Sequence, residues 1–131
     1  MLLEVLIGML LFIIGIMGVM GLQAMSMKHT IDAKYRTEAS YLANQIIGRM
    51  WVDNANLGSY AIAANAVCPD PPGNERERWI CTVMDILPNA TGANAPTIVI
   101  NGNTVTVTIF WRKDANDPVH QHIVTTDIST T

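Results

Sequence analysis

The chain has 131 residues, half of them hydrophobic and 15% charged, with a net charge of −3. No basic cluster appears, which argues against a nucleic-acid partner. The length allows one modest domain.

Met1–Leu22, MLLEVLIGMLLFIIGIMGVMGL, holds a single charged residue, Glu4, among Met, Leu, Ile, Val, Phe and Gly. A helix rising ~1.5 Å per residue crosses a bilayer core in roughly 20 apolar residues, and this run meets that length. It must sit in lipid or pack against other apolar helices. Roughly 105 residues remain for a water-soluble part, enough for a small core. No basic residue occurs before Lys28, so the pattern of a cleavable secretory signal is missing. Lys28, Lys34 and Arg36 follow the apolar run, and the positive-inside rule alone places that side in the cytoplasm. The two cysteines, Cys68 and Cys81, argue for an oxidising compartment and a disulfide. A short basic leader, removed after insertion, would reconcile the two signals.

The helical pattern continues past Leu22. Met27, Ile31, Tyr35, Ala39, Leu42, Ile46 and Met50 recur every three or four positions and form one apolar stripe, with the charges mainly off it. No proline interrupts the first 68 residues, so one continuous helix is expected from about residue 1 to about 52. Its first half must project, and its second half must carry a domain. Asp53, Asn54, Asn56, Gly58 and Ser59 supply stop and turn chemistry. A loop with Pro69, Pro71 and Pro72 follows. Asn74 with Glu77 three places on reads as a capping box. It opens a short helix over Glu75–Leu87, ended by Pro88, with Cys81 on it.

Thr97–Ile100 and Thr104–Trp111 read as strands joined around Asn101–Gly102, a hairpin signal. Thr104, Thr106 and Thr108 alternate with Val105, Val107 and Ile109, as a half-covered antiparallel sheet requires. His120–Ile128 reads as a third strand. Such a sheet needs a cover, and the Ile31–Met50 stripe is the large apolar surface available. The expected fold is α+β: a long amino-terminal helix whose carboxy-terminal half packs on a small antiparallel sheet, with a short second helix. The chain divides into an apolar helical segment, residues 1–27, and a globular head, residues 28–131. The head comprises an amphipathic helix half (28–52), a loop with a short helix (53–96) and antiparallel strands (97–128).

The opening MLLEVLIGMLLFIIGIMG resembles the mature amino terminus of type IV pilins: apolar, with one glutamate a few residues in. RTEASYLANQIIGRMW (Arg36–Trp51), LPNA (Leu87–Ala90) and VTVTIFW (Val105–Trp111) resemble the minor pilins of the PilV type. The resemblance covers essentially the whole chain. In the family the glutamate sits one place further from the processed amino terminus than Glu4 does here, which leaves the identity of the N-methylated terminal residue open.

The resemblance implies a structural subunit of a type IV pilus, a minor pilin acting in assembly priming or at the tip. It implies an inner-membrane location before assembly and an extracellular fibre afterwards. The partners implied are other major and minor pilins, met through the amino-terminal helix, together with prepilin peptidase and the assembly machinery. It implies that Glu4 pairs with the amino-terminal amine of a neighbouring subunit and sets register. A lone carboxylate costs about 2.5–3.5 kcal/mol at the centre of a bilayer helix, and less near an end. Gly15, Gly18 and Gly21 each cost about 1 kcal/mol in a helix interior. They suit close helix packing or, as pilins imply, local melting on leaving the bilayer. Other readings stay open at this point: a type II secretion pseudopilin, or a membrane-anchored periplasmic binding domain or enzyme.

No nucleophile–base set, HExxH or Gly-rich phosphate loop appears, and neither a cofactor nor catalysis is expected. His120 and His122 share one strand face, lack an obvious third ligand, and are expected to be solvated. Asp114 and Asp117 are read as turn residues. His29 is expected at the membrane interface. Trp51, Trp79 and Trp111 are expected in or at the edge of the core.

Overall fold

A computed structural model describes residues 1–129. Helix α1 spans Leu2–Val52 without interruption. A 3₁₀ segment, Asn54–Tyr60, follows it. Helix α2 spans Glu75–Ile86, and strands β1 (Thr97–Asn101), β2 (Thr104–Trp111) and β3 (His120–Asp127) complete the order. This is the α+β layout expected of a pilin-like chain. Two compact units divide within α1: the first is Met1–Lys34 and the second begins at Tyr35.

The first unit is helix alone. In the second, Ala39, Leu42, Ala43, Ile46, Ile47 and Met50 form the buried face of α1. They meet Ile98, Val105, Val107, Ile109 and Trp111 from the sheet and Trp79, Ile80 and Val83 from α2 in one core. The covering face is shorter than the sequence stripe. Tyr35 is partly buried against the core, but Met27 is 67% exposed. Ala43 and Ile47 widen the face instead, at the i+4 positions from Ala39 and Ala43.

The sheet is antiparallel in the order β1-β2-β3. Asn101 pairs with Thr104, so the hairpin loop is Gly102–Asn103, shifted one residue from the Asn101–Gly102 expectation. Gly102 takes a φ of 60°, the left-handed conformation that glycine enters without a Cβ clash. On β2, Val105, Val107, Ile109 and Trp111 are buried and the residues between them half-buried. An isolated bridge from Ile62 to Ile98, with hydrogen bonds of 3.0 and 3.1 Å, covers part of the outer edge of β1.

Helix α2 opens on the expected reciprocal cap. Asn74 Oδ1 accepts from the Glu77 N–H at 2.9 Å, Asn74 Nδ2 donates to Glu77 Oε1 at 3.0 Å, and the Gly73 N–H donates to Glu77 Oε2 at 2.7 Å. Pro88 follows the helix, and Asn89, at φ 53°, donates its side-chain amide to the Arg112 and Lys113 carbonyls. That pair of bonds holds the α2–sheet connector against the end of β2.

Two tryptophans lie in the core, Trp79 and Trp111 each 2% exposed. Trp51 does not: it is 47% exposed, one helical step of about 100° past the buried Met50. The histidine expectation also needs correcting. The register sets His122 opposite Ile109 and His120 opposite Trp111, so both point to the core side of the sheet and are half-buried. The His120 ring stacks on Trp111 with centroids 5.8 Å apart.

Candidate functional site

The first unit carries the feature that most constrains function. From Leu2 to Met27 every large apolar side chain of α1 is exposed; Phe12 is 70% and Leu22 72% exposed. None of the most apolar 18-residue window is buried, and α1 is long and apolar enough to cross a membrane. At roughly 25 cal/mol per Å² of apolar surface, such a face is strongly driven out of water. The helix is unbroken along this length, and no residue in it takes a positive φ.

Glu4 lies exposed in the first turn of α1. An acid there is favoured by the macrodipole, by about 0.3–1 kcal/mol. Among the described residues it forms no ion pair and no side-chain hydrogen bond; the described ion pairs all involve Glu75 or Glu77. In an apolar medium the carboxylate needs a cationic partner from another molecule or access to the headgroups.

Gly15, Gly18 and Gly21 sit within regular helix, and a Cβ at any of them would meet nothing within 4 Å. Successive members of the set turn by about 60° around the axis, so they form a shallow spiral rather than one stripe. Gly15 opens a groove of about 530 Å³ lined by Leu11, Phe12, Ile16, Val19, Met20 and Gln23. The notch admits a side chain or acyl chain close to the helix backbone, as small residues do at helix contacts in membranes.

In the second unit, Cys68 and Cys81 form the disulfide, with Cα atoms 4.8 Å apart. It ties the proline-bearing loop to α2, whose Trp79 and Ile80 lie in the core.

A polar cleft of about 470 Å³ between the end of α1 and the start of α2 is lined by Asp53, Ser59, Tyr60, Asn74, Glu75 and Arg76. Its charges are mutually satisfied. Arg49 and Arg78 both pair with Glu75, Asn56 and Tyr60 donate to Asp53 at 2.7 and 3.2 Å, and Arg76 donates to the Ser59 and Ala61 carbonyls. Burial pushes the Tyr60 phenol above its ordinary range. The hydrogen bond to Asp53 and that carboxylate's charge act the same way, against a smaller opposing effect of Arg49. These groups brace the α1–α2 junction.

This cleft was not singled out by spacing in the sequence. The cleft joins residues up to 23 positions apart, and only the packing of α2 assembles it. Comparison with protein-family models, with curated proteins and with solved structures yields no match.

Proposed function

We propose that the chain is a structural subunit of a type IV pilus: a minor pilin that acts in assembly priming or at the filament tip. The observation that carries the reading is one unbroken helix with two unlike parts. Its first part is apolar on every face and bare. Its second part is the core element of a disulfide-bonded α+β head. A permanent membrane anchor needs the first part, whereas a filament subunit also gives the acid at Glu4 a charged partner and the glycine spiral a role in transfer.

The mechanism is a transfer between two dry environments. The apolar segment holds the subunit in the inner membrane with the head outside. Motors external to this chain then draw it out, and lipid is exchanged for the helices of neighbouring pilins. Glu4 pairs with the amino-terminal amine of a neighbour and fixes axial register, because a charge left unpaired in a water-poor bundle is heavily penalised. Gly15, Gly18 and Gly21 lower the cost of local unwinding during the transfer. Prepilin peptidase and the assembly machinery are the further partners.

The test is recovery of the chain from sheared, washed surface filaments, with mass analysis of its amino terminus. The reading expects the chain in the filament fraction with a processed, N-methylated end. Confinement to the membrane fraction with an unmodified terminus overturns it in favour of an anchored binding domain or enzyme. Recovery only with a secretion apparatus would assign the chain to the type II pseudopilins.

A further inference from the structure

The pair Asn101–Gly102 does not form the hairpin loop; the loop is Gly102–Asn103, and Asn101 closes β1 opposite Thr104. Asn101 therefore stands at a corner of the sheet, exposed, in the last pair of the β1–β2 ladder. The β2 side of that corner is braced by β3 and the residue after it. Thr104 Oγ1 donates to Asp127 at 2.6 Å, and the Asn103 carbonyl accepts from the Ile128 N–H at 2.8 Å. On the outer edge of β1, the bridge from Ile62 lies further back, at Ile98.

Among the described residues no hydrogen bond holds the Asn101 carboxamide, and no carbonyl accepts from the Gly102 N–H. Gly102 carries no Cβ, and nothing lies within 4 Å of where one would stand. Other asparagines differ. Asn74 is tied to Glu77, and Asn89 to the Arg112 and Lys113 carbonyls. Asn103 is exposed, but the residue after it is the β-branched Thr104, already in β2. Asn101 is the one asparagine in the chain followed by glycine.

We propose that Asn101 is a site of spontaneous deamidation through a cyclic imide with Gly102, with water as the co-reactant. The Gly102 amide nitrogen attacks Asn101 Cγ. The new C–N bond closes a five-membered ring, and the carboxamide nitrogen leaves as ammonia, carrying off the proton of the Gly102 amide. Water then opens the ring at either carbonyl. One opening leaves aspartate. The other leaves isoaspartate, whose main chain runs through the side-chain carbons and is one atom longer. Nothing is oxidised or reduced: carboxamide and water become carboxylate and ammonium.

Conformation sets the timing. Ring closure requires rotation about ψ of Asn101 away from its extended value, so the terminal pair must open first. Pairs at the end of a ladder open at little cost, and glycine follows the rotation without a Cβ clash. The product adds a negative charge to a chain of net charge −3. That charge falls in the cross-strand row Asn101, Thr104, Asp127. The isoaspartyl form, with its longer main chain, cannot restore the last pair of the ladder. Ile98, 1% exposed, lies beyond that pair, so the core is kept. None of this rests on assembly into a filament.

The test incubates the full folded chain in detergent micelles made up in heavy-oxygen water at mildly alkaline pH, with peptide mapping by mass spectrometry over time. The hairpin peptide is expected to gain a heavy carboxylate oxygen at least tenfold faster than peptides bearing Asn74 or Asn89. Asn101→Gln, which would have to close a six-membered ring, is expected to lower that uptake at least tenfold, and Asn103→Gln to retain it. In the modified fraction the amides of Ile100 and Asn101 are expected to exchange faster, with the near-ultraviolet signal of the buried tryptophans unchanged. A hairpin peptide that takes up label only after the chain is unfolded in denaturant overturns the proposal. So does label that persists in the Asn101 variant, or that falls equally in the Asn103 variant.

Discussion

The indole N–H of Trp79 donates to the backbone carbonyl of Leu42 at 2.9 Å, inside the core. The bond joins α2 to the middle of the buried face of α1 and gives the buried indole nitrogen its partner. Trp79→Phe keeps most of the apolar volume and loses the donor. A net hydrogen bond contributes about 1 kcal/mol, which for a head of this size lowers Tm by about 4–8 °C. Trp79→Ala removes the packing as well and is expected to cost about 3–5 kcal/mol. Thermal unfolding of the full chain in detergent, followed in the near-ultraviolet, measures both.

The disulfide closes a loop with a sequence separation of 13. In the chain-entropy treatment a loop of this size stabilises by about 3 kcal/mol. The double variant Cys68→Ser, Cys81→Ser is expected to lose about that much in denaturant unfolding and to gain protease sensitivity between residues 61 and 73. Helix α2 is held independently by Trp79, Ile80 and Val83, so its amides are expected to remain protected in the variant.

Tyr60 makes the head sensitive to alkali. Its phenol is held above the ordinary value of 10.0, first by burial and then by Asp53. The unfolded chain therefore gives up this proton at lower pH than the folded one. The stabilisation is fully present below pH 10, and it is lost as pH rises through the folded value. The Tyr60 phenol is expected to ionise late in a phenolate absorbance titration. Tyr60→Phe should abolish that late phase and flatten the fall in stability above pH 10. A late phase that survives the substitution contradicts the assignment.

The glycine spiral has room for methyl groups, since nothing lies within 4 Å of a Cβ at Gly15, Gly18 or Gly21. Alanine at each is expected to stabilise the helix by about 0.8–1 kcal/mol per site. The triple variant should show slower amide exchange over residues 14–22 in micelles. If local melting accompanies transfer into a filament, it should also incorporate less efficiently than wild type. Unchanged incorporation would leave the glycines to helix contact alone.

Much of this architecture is legible in the residues because local signals and packing agree. Asn74 and Glu77 announce the start of α2, and the Thr–Val alternation of β2 gives its buried face directly. The failures have physical causes. Trp51 looks like a core residue by type, but the buried face of a helix is set by angle, and Met50 already holds the inward position. Asn54–Tyr60 carries the Asn, Gly and Ser of a turn, yet it winds as 3₁₀ helix with Leu57 and Tyr60 buried. In β3, apolar residues occur on both faces, Ile123 on one and Val124 on the other. Pairing with β2, rather than alternation, decides that His120 and His122 face inward. Glu4 stands out in sequence by its cost in an apolar run, while among the described residues no ion pair involves it.

Glu4 therefore gives the most direct test of the central claim. Glu4→Ala should leave the head folded, with an unchanged near-ultraviolet signal and an intact disulfide. The quantity to measure is the fraction of the chain recovered in sheared filaments relative to the membrane, for the variant and the wild type in parallel. A severe loss from the filament fraction, with normal amounts in the membrane, is the predicted result; incorporation of the variant at the wild-type level would contradict the account.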